Sequence, residues 1–343
     1  MSQSEINFLV PSIDRSGPVT LVSNYVVALS RLCSSKTIKL FYLKNRDKSI
    51  LYPDKITIKR FQLKDFVKCK DNLISICYLP DLVNFLLMMT NCCRTNKLKG
   101  ITIVSSFDYF NLRFKFGKFK AKILFFIWIK LSQLLSNRVV LNHTMKRFYN
   151  RYDKHGIYDV IFHSLPNHLE LKFKPKREST TIKVIFVGSL DDRKNILALC
   201  NHVIKSSLYE LTILGDGKYK IPILEFAKKN SKTIRYEGFQ NDPQQLIQNH
   251  DVLALPSFSE GLPTVCLEAY YNGTPCIMSN IAVHRELAKL GFGVVFNHKT
   301  FKDFDTAVIS LTENNQARND KSPNKKFDHN INSKQLLALI NEQ

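Results

Sequence analysis

The chain has no C-x-x-C pair and no histidine-rich partner set for its eight cysteines, Cys33, Cys69, Cys77, Cys92, Cys93, Cys200, Cys266 and Cys276. The usual zinc spacings and a disulfide framework are therefore not indicated. Several of the eight fall in apolar runs, where a reduced thiol packs as a small hydrophobe, and they are expected to be core residues. The amino terminus lacks a charged segment followed by an apolar one, and residues 6–10 are too short a run for a signal segment, so a cytoplasmic location is expected. No apolar run approaches the ~20 residues of a bilayer span. The run Ile123-Leu-Phe-Phe-Ile-Trp-Ile129 is ended by Lys130. Acidic residues are also few, 29 against 50 lysines and arginines, giving a net charge of +21.

What is present is a steady alternation of strand and helix patterns, the mark of an α/β chain. At 343 residues there is room for two domains, each able to bury a core. Strands are expected over 6–10, 38–42, 73–77, 101–105 and 138–142, with an amphipathic helix over 19–32. A change of register begins at Pro166-Asn167, and Leu171-Lys-Phe-Lys-Pro-Lys-Arg177 reads as a basic linker. Strands are expected again over 184–187, 211–214, 233–236, 252–255, 275–278 and 293–296. Residues 314–329 are polar and read as a surface connection, and residues 335–340 as a short terminal helix. The domains are thus set at 1–165 and 166–330, with 331–343 as the terminal helix.

The most informative stretch is Ser259-Glu260-Gly261-Leu262-Pro263-Thr264-Val265-Cys266-Leu267-Glu268. It follows the apolar run Asp251-Val-Leu-Ala-Leu-Pro256, which reads as a buried parallel strand. Residues 263–272 read as a helix, with Pro263 at its start and Gly273 just past its end. Glu260 then sits at the carboxyl end of a strand, where open α/β sheets bind ligands. Glu268 lies about one turn into the helix, whose amino terminus is an anion site suited to a diphosphate. Two carboxylates beside an anion site are unfavourable unless they hold hydroxyls, so a sugar nucleotide fits better than a bare phosphate. Two glutamates eight positions apart also fit a solvated loop residue and a surface-helix residue; the strand, the Gly-Leu-Pro break and the helix favour the site.

The segment from Pro256 to Ile277 resembles the donor-site signature of retaining glycosyltransferases of the family-4 type. Upstream, Gly188-Ser-Leu-Asp-Asp-Arg-Lys-Asn195 resembles the family's phosphate-binding turn, G-R-L-x-x-x-K-G/N, and Leu211-Thr-Ile-Leu-Gly-Asp-Gly217 its I-x-G-x-G stretch. The resemblance implies a GT-B fold, two Rossmann-like domains facing each other across a cleft. The first domain would bind the acceptor and the second a nucleotide-sugar donor, with the last helix crossing back to the first domain. It further implies that Glu260 faces the donor hexose, that Glu268 holds the ribose, and that the backbone of Gly261, Leu262, Pro263 and Thr264 meets the sugar and diphosphate. Gly188 belongs to the phosphate turn and Lys194 neutralises the diphosphate. Ser189 stands where the family usually has arginine, and Arg193 is the nearby cation that replaces it. Gly17 falls on the family's glycine-rich loop, with one glycine where two are usual. The family histidine at the end of a first-domain strand is absent from Val104-Ser-Ser-Phe-Asp108; Asp108 or Ser106 stands in. His143 and His168 are read as structural or solvent-facing.

The activity so implied is hexosyl transfer with retention to a glycan or polyprenyl-linked oligosaccharide, in the style of bacterial O-antigen, capsule and exopolysaccharide enzymes. The leaving diphosphate would help to deprotonate the acceptor, and no metal or other cofactor would be required. A sugar-nucleotide epimerase of the same fold, and a basic binding protein with a degenerate donor site, are the alternatives. Charge adds a partner: residues 1–165 hold 27 lysines and arginines against 10 acidic residues, and residues 166–343 hold 23 against 19. Arg113, Lys115, Lys118, Lys120 and Lys122 interleave with Phe114, Phe116 and Phe119. Such a segment suits peripheral contact with an anionic inner leaflet; it also fits a core helix with a solvated basic flank. No nucleic-acid module pattern accompanies it.

Overall fold

The computed structural model describes residues 5–13, 17–44, 52–62, 65, 71–91, 99–106, 108–163, 179–313 and 325–341. The chain divides into two compact units, Met1–Asn167 with Asn324–Gln343, and His168–Pro323. No described helix is long and apolar enough to cross a membrane.

The first unit runs β1 (Glu5–Ser12), α1 (Gly17–Leu32), β2 (Thr37–Lys44), β3 (Ile56–Arg60), β4 (Asn72–Ile76), α2 (Tyr78–Asn91), β5 (Lys99–Val104), α3 (Asp108–Phe116), α4 (Lys118–Ser132), β6 (Asn137–Val140), α5 (His143–Asn150) and β7 (Tyr158–Val160). Its strands form one parallel sheet in the order β3-β2-β1-β4-β5-β6-β7. The central strands are buried on both faces, which is why they read as continuous apolar runs; all five residues of β4 are inside. Beneath the helices lies a buried carboxylate. Asp81 on α2 accepts hydrogen bonds from Ser75 Oγ at 2.6 Å, Thr102 Oγ1 at 2.7 Å and Trp128 Nε1 at 3.1 Å. Burial pushes its pKa up to about 6 against the pull of those three donors. The network joins α2 and α4 to the sheet.

The second unit runs β8 (Ile182–Val187), α6 (Ile196–Val203), β9 (Tyr209–Leu214), α7 (Lys220–Lys229), β10 (Ile234–Gly238), α8 (Gln244–Gln248), β11 (Val252–Leu255), α9 (Thr264–Tyr271), β12 (Cys276–Ser279), α10 (Ala282–Lys289), β13 (Gly293–Phe296) and α11 (Phe304–Glu313). Its sheet is again parallel, in the order β10-β9-β8-β11-β12-β13. The winding reverses between β8 and β11, which pair directly through Val252–Val184 and Leu253–Ile185. The loops leaving the carboxyl ends of those two strands therefore emerge side by side, at the crevice where such sheets bind ligands.

After the second unit a last helix, α12 (His329–Asn341), packs on α1 of the first. Lys36 Nζ donates to Asn341 Oδ1 at 2.6 Å and Lys99 Nζ to Ile340 O at 3.3 Å. The helix starts six residues earlier than the apolar pattern predicts, because its first turns are built from polar residues. The sequence did not signal β3 and β7. β3 is an edge strand that exposes Thr57, Ile58 and Arg60, and β7 has only three residues. The linker over 171–177, residues 314–324, His168, Cys69, Cys92 and Cys93 lie outside the described residues. Of the other cysteines, Cys33, Cys200, Cys266 and Cys276 are buried free thiols and Cys77 is half-buried.

Candidate active site

The loop after β8 turns at Gly188 and forms a short 3-10 turn, Asp192–Lys194. Asp191 caps it, its Oδ1 accepting from Lys194 N at 3.1 Å. Ser189 Oγ donates to Asp191 Oδ2 at 2.8 Å, so the residue at the expected arginine position steadies the cap and brings no charge. Asn195 closes the turn in the left-handed region, at φ 54°, where asparagine and glycine are tolerated best. Its Nδ2 donates to Pro256 O at 3.3 Å and His298 O at 3.2 Å, tying this loop to those after β11 and β13. The turn after β9 backs it closely: a Cβ on Gly217 would stand 2.7 Å from Leu190 O.

The loop after β11 brings Glu260 to this turn. Phe258 N donates to Arg193 O at 2.8 Å, and Arg193 Nη1 donates to Ser259 O at 2.9 Å. Glu260 receives two cations, Lys194 Nζ at 2.6 Å on Oε1 and Arg193 Nη1 at 3.1 Å on Oε2. Lys194 is 8% exposed and Glu260 6%, so this is a desolvated cluster with a net charge of +1. Burial alone would push the Glu260 carboxyl up; Lys194 and then Arg193 outweigh it and hold the pKa down to about 2. Glu260 is thus a carboxylate throughout the neutral range.

Directly beyond, Gly261, Leu262 and Pro263 are buried and Thr264 opens α9 half-buried. Pro263 caps that helix in extended conformation with no side-chain cap bond, so no cap side chain sits over the positive end of the helix, and Cys266 N donates within the turn to Pro263 O at 3.0 Å. Glu268 stands half-buried one turn further on, and Gly273, at φ 70°, ends the element.

The structure therefore brings together Gly188, Arg193, Lys194, Glu260 and the start of α9 in the second unit. Gly17 and Asp108 belong to the first: Gly17 is the first residue of α1 and Asp108 the first of α3. The side chain of Asp108, and residues 14–16 before Gly17, lie outside the described residues. Ser106 Oγ accepts from Asn111 Nδ2 at 2.8 Å, and His143 opens α5. Sequence reasoning missed Asn195, whose signal was the Gly-or-Asn position closing the phosphate turn. It also missed His284, fully buried with Nδ1 2.9 Å from Ser279 Oγ. Burial lowers the His284 pKa to about 4, against the pull of Glu260, so the ring is neutral at pH 7. An Asp-x-Asp spacing does occur, at Asp303-Phe304-Asp305, but Asp305 is taken by His202 Nε2, at 3.0 Å, and by the Tyr209 hydroxyl. Among the described residues no three His, Cys, Asp or Glu gather as metal ligands.

Two parallel sheets of this winding, with a Lys-Arg-Glu cluster at the reversal point of the second, define an α/β architecture of two Rossmann-like units. Residues 167–327 match the family described as glycosyl transferases group 1, a span that takes in the whole second unit, and the two parallel sheets with their helices match the fold of solved GT-B glycosyltransferases. Among curated proteins it is 23% identical over 298 residues to the O-antigen biosynthesis glycosyltransferase WclY of Escherichia coli, covering 82% of each chain. It is 31% identical over 143 residues to the UDP-Gal:alpha-D-GlcNAc-diphosphoundecaprenol alpha-1,3-galactosyltransferase of Escherichia coli, over 37% of this chain and 35% of that protein. Among solved structures, Anabaena Alr3699/HepE in complex with UDP-glucose superposes with a TM-score of 0.72 at 14% identity, over 97% of this chain and 98% of that one.

Proposed function

We propose that this glycosyltransferase moves a hexose from a nucleotide-diphosphate sugar to a glycan or polyprenyl-linked oligosaccharide, with retention, in the building of a cell-surface polysaccharide. The observation that carries the reading is the Lys194–Glu260–Arg193 cluster beside the open amino terminus of α9. It places cations, helix dipole and a charged carboxylate within one site. Lys194 and the helix end would stabilise the charge that develops on the leaving diphosphate, Glu260 would accept from hexose hydroxyls, and Glu268 would hold the ribose. Gly188 and the Gly261–Thr264 backbone would let the phosphates approach closely. The diphosphate itself would take the acceptor proton on the face it leaves, so no protein nucleophile and no metal enter the proposed step. In support, the WclY relative is named for O-antigen biosynthesis, the galactosyltransferase for UDP-Gal and a diphosphoundecaprenol acceptor, and HepE was solved with UDP-glucose.

The test is incubation with UDP-, GDP- and dTDP-sugars, with and without a polyprenyl-diphosphate sugar, following nucleoside diphosphate release and the anomeric configuration of the product. Release that requires an acceptor, with the donor configuration kept, is expected. A free or epimerised sugar formed without acceptor would make the chain an epimerase-type enzyme. Binding of no sugar nucleotide would make it a degenerate binding protein.

The same reading puts the enzyme at the inner face of the cell membrane. The exposed residues of α3 and α4 include Arg113, Lys115, Lys118, Lys120, Lys122 and Lys130, with Phe114, Phe116, Phe119, Ile123 and Ile127 between them and no acidic residue from 109 to 132. On α2, which packs on α4, Leu82, Leu86 and Met89 make a second exposed apolar stripe. Apolar side chains among cations suit an anionic lipid surface.

A further inference from the structure

Lys194 and Arg193 share one carboxylate, but they are not held alike. Arg193 has a second anchor in Ser259 O, so its guanidinium is tied to the backbone of the loop that carries Glu260. Among the described residues Lys194 Nζ has Glu260 as its one side-chain hydrogen-bond partner, using one of the three donors of an ammonium on a flexible stem. That stem runs along the Gly188 turn: a Cβ on Gly188 would meet Lys194 Cε at 3.4 Å and Nζ at 3.6 Å. One cation is fixed in the loop of its partner. The other lies between its partner and the turn.

From this asymmetry, and resting on the reading that a donor diphosphate occupies the Gly188 turn and the start of α9, we infer that Glu260 and the diphosphate compete for Lys194. Arg193 is then a positioning residue that keeps Glu260 charged and aimed when Lys194 turns away. The exchange breaks no covalent bond. Lys194 gives up Oε1 for a phosphate oxygen, and Arg193 remains on Oε2 and Ser259 O. A carboxylate this buried could not be left without a cation, because an uncompensated buried charge is strongly unfavourable. Oε1, once released, is the oxygen that accepts from a hydroxyl of the donor hexose.

The exchange has a consequence for turnover. A sugar nucleotide returns a hydrogen bond to Oε1 after taking Lys194, whereas the nucleoside diphosphate product does not. The hexose hydroxyl thus compensates Oε1 for the loss of Lys194 with the donor and not with the product. Diphosphate binding and sugar recognition are coupled through one ammonium group.

The experiment is calorimetric titration of the full chain with UDP, GDP and dTDP, using whichever the wild type binds, on Glu260→Gln, Arg193→Gln and the double variant. Glu260→Gln removes the competitor and is expected to bind the nucleoside diphosphate about 5-fold tighter or more, while losing turnover with the sugar nucleotide. Arg193→Gln leaves Glu260 dependent on Lys194 and is expected to bind on the order of 10-fold weaker, with partial recovery in Arg193→Lys. The double variant is expected to return to wild-type affinity or better, which no direct contact between Arg193 and phosphate would allow. Glu260→Gln binding no tighter than wild type, or a double variant as weak as Arg193→Gln, overturns the inference. If the double variant does not fold, judged by circular dichroism, Glu260→Gln alone decides. A wild type that binds no nucleoside diphosphate at all fails earlier, and sinks the donor reading itself.

Discussion

Gly215 lies so close to Gly188 that a Cβ on it would stand 1.8 Å from the Gly188 carbonyl oxygen, with its own φ at 143°. The turn after β9 thus backs the turn after β8 through close backbone contact, joined by the Gly188 N–Leu214 O and Leu190 N–Asp216 O hydrogen bonds. Gly215→Ala meets both a clash and a conformation that L-residues avoid. It is expected to lower stability by about 2 kcal/mol or more and to weaken nucleoside diphosphate binding by moving Gly188. Urea unfolding and titration of the variant check both; an alanine tolerated at wild-type stability would mean that the two turns part easily.

Glu268→Ala is expected to weaken donor binding by roughly 1.5–3 kcal/mol, the contribution of hydrogen bonds to a charged group. The loss should appear with the nucleoside diphosphate as well as with the sugar nucleotide, since the ribose is common to both. Equal affinity in a folded variant would remove Glu268 from the site.

Lys194→Ala is expected to lower turnover by on the order of 100-fold or more, by analogy with the removal of one electrostatic donor in other enzymes. Arg193 remains on Glu260 in that variant, so the site should keep its shape. Near-normal turnover, read by diphosphate release, would contradict the role given to Lys194.

Asp81 gives the first unit a distinctive pH dependence. Its folded pKa of about 6 lies above the ordinary aspartate range near 4, so between those values the native state holds a proton that the unfolded chain has lost. Its contribution is therefore fully present below pH ~4 and is lost as pH rises through ~6, on the order of 3 kcal/mol. Trp128 is the one tryptophan of the chain and donates to Asp81, so its fluorescence follows unfolding of this unit. The stability difference between wild type and Asp81→Asn is expected to move in favour of wild type from pH 7 to pH 4.5. A pH-independent difference would mean that Asp81 titrates normally.

Co-sedimentation with vesicles tests the membrane surface. Binding is expected to vesicles containing anionic lipid and not to neutral ones, and to weaken as salt shortens the Debye length from ~10 Å at 0.1 M to ~3 Å at 1 M. Charge reversal of Lys115, Lys118, Lys120 and Lys122 should abolish it, with activity on a soluble acceptor unchanged. Equal sedimentation with both vesicle types would leave α4 a core helix with a solvated basic flank.

The parallel strands of the second unit were legible because burial on both faces turns the central ones into apolar runs, and all six fall within two residues of the expected bounds at both ends. The loop after β11 was legible because Gly261, Pro263 and Gly273 mark both ends of a short helix. β3 was not, since an edge strand has no need of apolar residues on its open face. The partners of Glu260 were also hidden. Lys194 and Arg193 lie 66 and 67 residues away, and only the pairing of β8 with β11 brings them in. Nor does the sequence distinguish Arg193, tied to Ser259 O, from its neighbour Lys194, because that difference is made by the loop opposite. Asp81 was silent for the same reason, its donors coming from β4, β5 and α4.

The packing of α12 on α1 reverses the order in which the two units are finished during synthesis. Residues 168–323 are contiguous and are all made before α12 emerges. The first unit, begun earlier, must wait with the α1 surface uncovered until the whole of its neighbour has been translated. A ribosome that stalls between the two would leave a nascent chain whose second unit is whole and whose first still lacks the helix that covers it.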